Sequence, residues 1–566
     1  MSQASSIARE PSIGRDVALV AAITAAGLFL RLWGLGRLGL VHFDEGIYAI
    51  AGLWSLSPQG LSAFDPLVIP YAPPGFPLLV GLSYSVLGAG DVSAILVSIA
   101  AGALTIPAAA WLAHRTFGAG AGPPAAALAA LSGVHVAFSR MALTDASFLL
   151  CWLVGLIVAQ RFLERPGVGS GIALGIAVGV AQLFKYSGWT LGAAPILALI
   201  AITLGDPSRR TVARQTRAWG FGLLGAIVAA LVYAPWFLFV ENHGGYRALM
   251  AHHGGYVGSL GSWFAHWRAQ LEQLSALSGG FPWNVAGWIL ALGAAIASRL
   301  GRGGARPEFG RLTALALVVG TGIVAPTMLW WVGLGWLVFQ GRDASPGRRL
   351  LGVAWLGLSI LTPFYHPYAR LWLPIQSLGW IAAAGLIAEL LAPGESRSKH
   401  SPARLSILAA CCLAALAQGL VLMKTPSPAE RGTGLLAPSD SLRRAVGATL
   451  AALPEEASGL RVLARPPMIF YLAGGAGARV EADLEGLLRD VSGRWALVDW
   501  AQLRQSGNAD EAAARLLEHW EKVGEQPTTL NWPTLLDVDP SAARTARPAE
   551  TDAPLWLLRR RGIGAP

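Results

Sequence analysis

Long apolar runs, separated by short polar breaks, fill the chain from Asp16 to Met423. Most runs have about 17 to 25 residues, the length that an α-helix needs to cross a hydrocarbon core about 30 Å thick. A further apolar run near 75–88 follows a proline-rich stretch and is expected to lie along the membrane surface. The pattern predicts a polytopic α-helical membrane protein with thirteen spans, near residues 17–35, 92–113, 122–138, 142–163, 171–186, 188–204, 218–240, 283–299, 312–325, 327–340, 350–362, 371–392 and 405–423.

Composition supports the membrane assignment. Of the 566 residues, 54% are hydrophobic and only 13% are charged, whereas soluble domains carry about 25% charged residues. A wholly soluble protein is therefore excluded. The net charge of +10 does not indicate nucleic acid as a partner, because in a membrane protein the location of basic residues matters more than their total.

The distribution of basic residues predicts the orientation. If the N-terminus is cytoplasmic, seventeen Lys and Arg residues fall in the cytoplasmic connections, and the opposite connections hold six, namely Arg37, Arg140, Lys185, Arg247, Arg268 and Arg370. The positive-inside rule selects this topology. We therefore expect a cytoplasmic N-terminus and, after an odd number of spans, an extracytoplasmic C-terminus. The membrane itself is expected to be a bacterial inner membrane.

Two extracytoplasmic connections are unusually long. Residues 36–91 form an acidic, aromatic and proline-containing loop, and residues 241–282 form a second loop rich in histidine. The cytoplasmic connections are short and basic by comparison. Function is therefore expected on the outer face.

The C-terminal part has ordinary polarity and alternating helix and strand patterns. We predict a membrane domain over 1–425 and a small extracytoplasmic α/β domain over 426–566. Within the second, the pattern predicts helices near 440–453, 466–473, 482–490 and 510–523, and strands near 460–464, 478–481, 494–499, 533–537 and 555–560.

Three carboxylates on the outer face are candidates for chemistry. Asp44 and Glu45 follow the first span directly, and Asp145 lies in the short turn before the fourth. A carboxylate near the low-dielectric boundary favours a cationic partner or a proton-accepting role, and neighbouring carboxylates can divide the tasks of base and positioning group. The simpler alternatives remain open: a solvated loop carboxylate for Asp44, and a helix cap for Asp145.

Cationic and aromatic side chains on the same face complete the set. Lys185, His366 and Arg370 could hold a phosphate, although snorkelling to an interfacial aromatic belt also explains Lys185 and Arg370. No spacing in the sequence demands a metal ligand set. The tyrosines expected to line a substrate cavity are Tyr48, Tyr71, Tyr186 and Tyr368.

Taken in order, several segments resemble the GT-C superfamily of glycosyltransferases that use polyprenyl-phosphate sugars. The resemblance covers about 36–425 and is greatest to the branch with the protein O-mannosyltransferases and the transferase that adds aminoarabinose to lipid A. It rests on FDEGIYA at 43–49, YAPPGFPLLVGLSYSVLG at 71–88, SRMALTD at 139–145, GVAQLFKYSG at 179–188, YAPWF at 233–237 and HPY at 366–368.

The resemblance implies roles for these residues. Asp44 would be the catalytic carboxylate, with Glu45 beside it, Asp145 as the second acidic position and Lys185 near the donor phosphate. Two positions depart from the aminoarabinose branch, which has an Arg where Ile47 stands and often a Lys where Ala72 stands. We expect His366 and Arg370 to take over part of the phosphate binding.

The expected activity is transfer of a sugar, with inversion, from a polyprenyl-phosphate donor to an extracytoplasmic lipid, protein or polysaccharide acceptor. Family members differ in metal use, so a divalent metal stays open. A transporter or flippase of a lipid-linked saccharide is the main alternative, in which the carboxylates and Lys185 would relay protons. A membrane scaffold whose external domain binds a partner is the third.

Overall fold

The computed structural model describes residues 11–55, 73–118, 120–205, 212–277, 345–391, 420, 436–453, 460–472, 479–481, 483–489, 493–505, 508–538 and 553–562. Five helices in these ranges are long and apolar enough to cross a membrane. The helices of the membrane part are α1 (Pro11–Leu32), α2 (Phe43–Ser55), α3 (Gly75–Leu87), α4 (Asp91–Phe117), α5 (Gly122–Leu131), α6 (Gly133–Ser139), α7 (Thr144–Glu164), α8 (Val168–Phe184), α9 (Trp189–Gly205), α10 (Val212–Glu241), α11 (Gly245–Gly254), α12 (Leu260–Leu277), α13 (Pro346–Leu361) and α14 (Leu373–Leu391).

Most predicted spans in the described ranges correspond to one helix each, whereas the span predicted over 122–138 corresponds to two. There the chain forms α5 and α6, with Ser132 in an extended conformation between them. The Ser132 hydroxyl accepts a hydrogen bond from the backbone N–H of His135, so a helix N-cap interrupts the apolar run. The predicted spans 283–299, 312–325, 327–340 and most of 405–423 lie outside the described residues, so the number thirteen stays a prediction.

Small residues let the long helices pack closely. A Cβ on Gly175 of α8 would lie 2.3 Å from the carbonyl oxygen of Gly225 in α10. Only glycine permits this approach, which is the usual way in which membrane helices pack without a hydrophobic driving force between them. The high glycine content of the chain therefore serves helix packing.

The elements that surround the candidate site lie at one end of the bundle, which we call the outer end because the sequence predicts that it is extracytoplasmic. Here α2 packs against α3, with the rings of Tyr48 and Phe76 edge to face at 5.2 Å. The helices α11 and α12 cover the 241–282 connection as far as Leu277, and a short 3₁₀ turn, Ala369–Trp372, precedes α14. The expected surface helix near 75–88 corresponds to α3.

The C-terminal part contains the strands β1 (Arg461–Leu463), β2 (Arg479–Val480), β3 (Trp495–Asp499), β4 (Trp520–Gln526) and β5 (Leu555–Arg560), and the helices α15 (Ser441–Ala452), α16 (Pro466–Leu472), α17 (Leu484–Arg489), α18 (Trp500–Gln505), α19 (Ala509–His519) and α20 (Trp532–Val538). The strands form one mixed sheet with the order β2-β1-β3-β5-β4. Strand β1 pairs in parallel with β2 and β3, whereas β5 pairs antiparallel with β3 and β4.

Two predicted elements of this part differ from the structure. The predicted helix 510–523 ends at His519, because residues 520–526 pair with β5. The predicted strand 533–537 is the helix α20. Pro533 lies in its first turn, where proline is favoured, and Asn531 Oδ1 accepts the backbone N–H of Thr534 at 3.1 Å.

The mixed-sheet part docks directly on the outer end. A Cβ on Gly46 of α2 would lie 2.1 Å from the backbone nitrogen of Pro467 in α16. Arg443 of α15 pairs with Asp91 at the start of α4, with 2.9 Å between Nη1 and Oδ2. Arg465 donates to the carbonyl of Val41 at 2.8 Å. Backbone contact and charge pairing thus hold the two parts together beside α2.

Candidate functional site

The site is built around the first turn of α2. His42 Nδ1 accepts the backbone N–H of Asp44 at 3.0 Å, so the histidine ring caps the helix that carries the first candidate carboxylate. Asp44 and Glu45 both lie in this first turn, where the helix dipole favours negative charge. The side chain of Asp44 remains 30% exposed.

Glu45 has a different environment from its neighbour. It is fully buried, and its Oε2 accepts the backbone N–H groups of Val41 and His42, both at 2.8 Å. Its Oε1 accepts the N–H of Ala142 at 2.8 Å. Glu45 therefore closes the start of α2 in the manner of a capping box and ties it to the turn before α7.

Asp145 and Lys185 form an ion pair. Lys185 Nζ donates to Asp145 Oδ1, and the Asp145 side chain is almost completely buried. Asp145 lies in the first turn of α7, but the cap position is Leu143, which makes no side-chain cap bond. The structure thus gives Asp145 a cationic partner and does not use it as the helix cap.

Arg370 joins the two candidate carboxylates. Its Nη1 donates to Asp44 Oδ2 at 2.7 Å and lies 3.8 Å from Asp145 Oδ2. On its other edge, Nε lies 3.1 Å from Oδ2 of Asp537, a residue of the C-terminal part. Arg370 also stacks its guanidinium over the ring of Tyr368, 4.9 Å from the centroid.

These charges set the proton affinity of the groups at the start of α2. Burial alone would raise the pKa of Asp44, but the positive charge of Arg370, with a contribution from Lys185, holds that pKa below its usual value. Burial raises the pKa of Glu45, and the three backbone N–H donors only partly oppose that effect. The pKa of Arg370 is raised because three carboxylates outweigh the effect of its burial.

Of the four predicted tyrosines, Tyr48, Tyr186 and Tyr368 fall within the described residues, as does His366. Tyr48 is buried one turn after Asp44, and burial together with the charges of Asp44 and Asp145 raises its pKa. The hydroxyl of Tyr186 accepts the indole N–H of Trp236 at 3.2 Å. Tyr71 lies outside the described residues.

An aromatic group beside Arg370 was only partly predicted. Tyr256, Tyr365, His366 and Tyr368 form this aromatic shelf, with ring centroids 4.5 to 6.4 Å apart. Tyr365 also hydrogen-bonds Nδ1 of His253 at 3.0 Å. The HPY motif identifies half of this shelf, but Tyr256 comes from the 241–282 connection, and no pattern in the sequence links it to residues 365–368.

Sequence reasoning missed one charged member of the site, Asp537. Its side chain is 2% exposed, and its Oδ2 lies 3.2 Å from His42 Nε2. The sequence predicts an apolar strand over residues 533–537. Asp537, with Asp539 two positions later, then resembles the turn residues that follow a strand. An acidic residue inside the run TLLDV is the signal that could have identified it.

The described residues contain no group of three His, Cys, Asp or Glu side chains arranged to hold a metal ion. Asp44, Asp145 and Asp537 pair with Arg370 and Lys185, whereas Glu45 accepts backbone N–H groups. The arrangement presents one partly exposed carboxylate, three buried carboxylates and two cations at the outer end.

Comparison with known proteins identifies the fold of the chain. Residues 71–238 match the family model described as dolichyl-phosphate-mannose-protein mannosyltransferase. The crystal structure of ArnT from Cupriavidus metallidurans bound to undecaprenyl phosphate superposes with a TM-score of 0.54 at 14% identity, over 97% of this chain and 99% of that one. The chain has the GT-C fold. The fold implied by the motifs is thereby confirmed.

A second solved structure supports the same fold. The oligosaccharyltransferase of Archaeoglobus fulgidus, in complex with Zn and sulfate, gives a TM-score of 0.52 at 14% identity, over 87% of this chain and 70% of that one. Comparison with curated protein sequences gives no match. At these identities the structural neighbours establish the architecture, and the chemistry depends on the residues of this chain.

Proposed function

We propose that the protein transfers a sugar from a polyprenyl-phosphate donor to an extracytoplasmic acceptor, with Asp44 as the general base. The observation that carries the proposal is the difference in access among the acidic side chains. Asp44 is 30% exposed, whereas the side chains of Asp145 and Asp537 are 1% and 2% exposed, and Glu45 is fully buried. Among these four carboxylates, Asp44 is the one that a substrate can reach.

The cations beside Asp44 suit the leaving group. Cleavage of the bond between the anomeric carbon and the phosphate oxygen leaves its electron pair on the phosphate, whose developing charge needs positive neighbours. Arg370 supplies a planar donor fork and Lys185 a point charge, and their side chains are 11% and 19% exposed. His366 lies on the aromatic shelf next to Arg370 and is the third candidate contact for the donor phosphate.

Donor binding would also activate the base. In the free protein Arg370 pairs with Asp44 and holds the pKa of that carboxylate low, which makes Asp44 a weak base. A donor phosphate that competes for Arg370 removes this stabilisation of the carboxylate, and its pKa then rises towards the value that burial favours. The carboxylate becomes more basic when the phosphosugar is in place.

The acceptor step then follows directly. The acceptor hydroxyl or amine gives its proton to Asp44 while its heteroatom attacks the anomeric carbon from the face opposite the phosphate, which inverts the configuration. Glu45 acts through the backbone by fixing the first turn of α2, and Asp145 holds Lys185. Tyr186 and the aromatic shelf, which includes Tyr368, are not buried and offer flat apolar faces that suit the ring of a sugar. Tyr48 is buried beneath the first turn of α2 and contributes to the packing of the site.

A donor panel tests the proposal. The purified protein in liposomes receives undecaprenyl-phosphate sugars labelled in the carbohydrate, together with solubilised native membranes as a source of acceptors. We expect label to move into an acceptor fraction, with release of undecaprenyl phosphate. Movement of intact labelled donor between the two leaflets, without cleavage of the phosphosugar bond, would instead indicate a flippase.

A further inference from the structure

We propose that Asp537 of the C-terminal domain is a positioning residue that fixes Arg370 and His42, so that this domain completes the site in the membrane domain. The inference rests on the proposed function, since its kinetic readout is sugar transfer. The reaction itself does not require Asp537, so the inference adds this residue to the site and gives the C-terminal domain a role in it.

The helix that carries Asp537 is anchored between outer elements of the bundle. Gln273 of α12 donates its side-chain N–H to the carbonyl of Leu536 at 3.2 Å, and Gln273 is fully buried. The capping bond from Thr534 to Asn531 fixes the start of the same helix. Asp537 thus lies on a short helix that is capped at its start by Asn531 and hydrogen-bonded near its end to α12.

One oxygen of Asp537 serves two partners. Oδ2 lies 3.2 Å from His42 Nε2 and 3.1 Å from Arg370 Nε. Because His42 Nδ1 accepts the N–H of Asp44, the proton of a neutral ring lies on Nε2 and is donated to Asp537. The carboxylate therefore fixes the tautomer and the orientation of the ring that caps α2 at Asp44.

The same oxygen sets the direction of Arg370. Arg370 Nε lies 3.1 Å from Asp537 Oδ2 in an ion pair, and Nη1 lies towards Asp44 and Asp145. The guanidinium is thereby held between carboxylates on two sides. Asp537 itself is buried behind these groups and does not reach the reacting atoms, which makes its role one of positioning.

The charge balance gives this role a distinctive signature. Three carboxylates, on Asp44, Asp145 and Asp537, face the two cations Arg370 and Lys185. Asp537→Asn removes one negative charge from beside an anion-binding group, so undecaprenyl phosphate should bind more tightly. It also releases Arg370 and His42 from their positions, so catalysis should slow.

Docking of the two domains does not depend on Asp537. Arg443 with Asp91, Arg465 with the carbonyl of Val41, and the contact of Gly46 with Pro467 all lie elsewhere in the interface. The Asn variant should therefore fold and keep its domains together. Asp537→Glu keeps the charge but moves the carboxylate by one methylene, and provides a second test that does not leave a buried amide.

The experiment compares the wild type with Asp537→Asn, Asp537→Glu and a control, Glu485→Gln. Glu485 is an exposed carboxylate of the same domain that pairs only at the surface with Arg515. For Asp537→Asn we expect kcat to fall at least tenfold while the Kd for undecaprenyl phosphate, measured by calorimetry, falls two- to fivefold. For Asp537→Glu we expect a three- to tenfold loss of kcat with an unchanged Kd, and for the control no change.

Other results would overturn the inference. An Asn variant with wild-type kcat, or one that loses kcat and phosphate affinity together, would mean that Asp537 only stabilises the fold. If the Asn variant does not fold, wild-type kcat in the Glu variant overturns the inference in the same way.

A further readout separates this inference from the proposed function. If the wild type transfers no sugar at all, the proposed function fails on its own. Hydrogen exchange of the amides at 366–372 then tests the inference, which predicts faster exchange in Asp537→Asn than in the wild type, and equal exchange would contradict it.

Discussion

Arg370 Nη1 lies 2.7 Å from Asp44 Oδ2, although 326 positions separate the two residues in the chain. The contact joins the first turn of α2 to the 3₁₀ turn before α14 and places a guanidinium on the proposed base. This contact explains why the pKa of Asp44 is lowered although burial would raise it.

Removal of the guanidinium should therefore change the pH dependence of catalysis. In Arg370→Gln the effect of burial on Asp44 is no longer opposed by its main cationic neighbour, so its pKa rises. The pH profile of kcat/KM reports the pKa values of the free enzyme. Because the base is active only when deprotonated, the acid limb of this profile should move to higher pH. Arg348→Gln, on the predicted cytoplasmic side, is the control and should leave the limb in place. An unchanged acid limb in Arg370→Gln would show that Arg370 does not lower the pKa of the catalytic base.

Glu45 should affect stability more than chemistry. Glu45→Ala leaves three buried backbone N–H groups without their acceptor, and a lost hydrogen bond of this kind costs about 1 kcal/mol or more each. We expect a free energy of unfolding lower by roughly 2–4 kcal/mol, measured as a lower transition temperature in detergent. Glu272→Ala, which breaks a surface pair with Arg268, should change stability by less than about 0.5 kcal/mol. Equal transition temperatures for Glu45→Ala and the wild type would contradict the structural role.

Gly46 lies where the first turn of α2 contacts the C-terminal part of the chain. Any side chain at this position meets the backbone of Pro466 and Pro467, which cannot move aside as a flexible side chain does. Gly46→Ala should loosen the docking of the C-terminal domain, which limited proteolysis would detect, and lower activity because Asp537 is carried away from Arg370. Gly220→Ala, at a helical glycine with open space around it, is the matched control. Wild-type protease resistance in Gly46→Ala would show that the contact is not needed.

Lys185 and Asp145 should behave as a coupled pair. Lys185→Met leaves the buried Asp145 with only the more distant Arg370 as a cationic neighbour, and Asp145→Asn leaves Lys185 free to bind an anion. We expect Lys185→Met to weaken undecaprenyl phosphate binding at least tenfold, and the double variant to be more stable than Lys185→Met alone because it no longer buries a charge that has lost its close partner. Additive effects on stability in the double-mutant cycle would indicate that the two side chains do not interact.

The fold and part of the site follow from the sequence because both have local signals. Apolar runs of membrane length indicate the long helices, and FDEGIYA and SRMALTD identify Asp44, Glu45 and Asp145. The difference between Asp44 and Glu45 is not local, since it depends on the N–H of Ala142 and on Arg370. Asp537 and Tyr256 reach the site only through tertiary packing, and the helix α20 resembles a strand because its short apolar run has no clear period.

The most direct test of the account is sugar transfer by Asp44→Asn. The amide has nearly the same shape and can still accept a hydrogen bond from Arg370, but it cannot take a proton from the acceptor. With an undecaprenyl-phosphate sugar that the wild type uses, we expect a folded protein that binds undecaprenyl phosphate and has a kcat lower by at least 100-fold, in line with the size of general-base effects. Transfer by Asp44→Asn at the wild-type rate would contradict the assignment of Asp44 as the base.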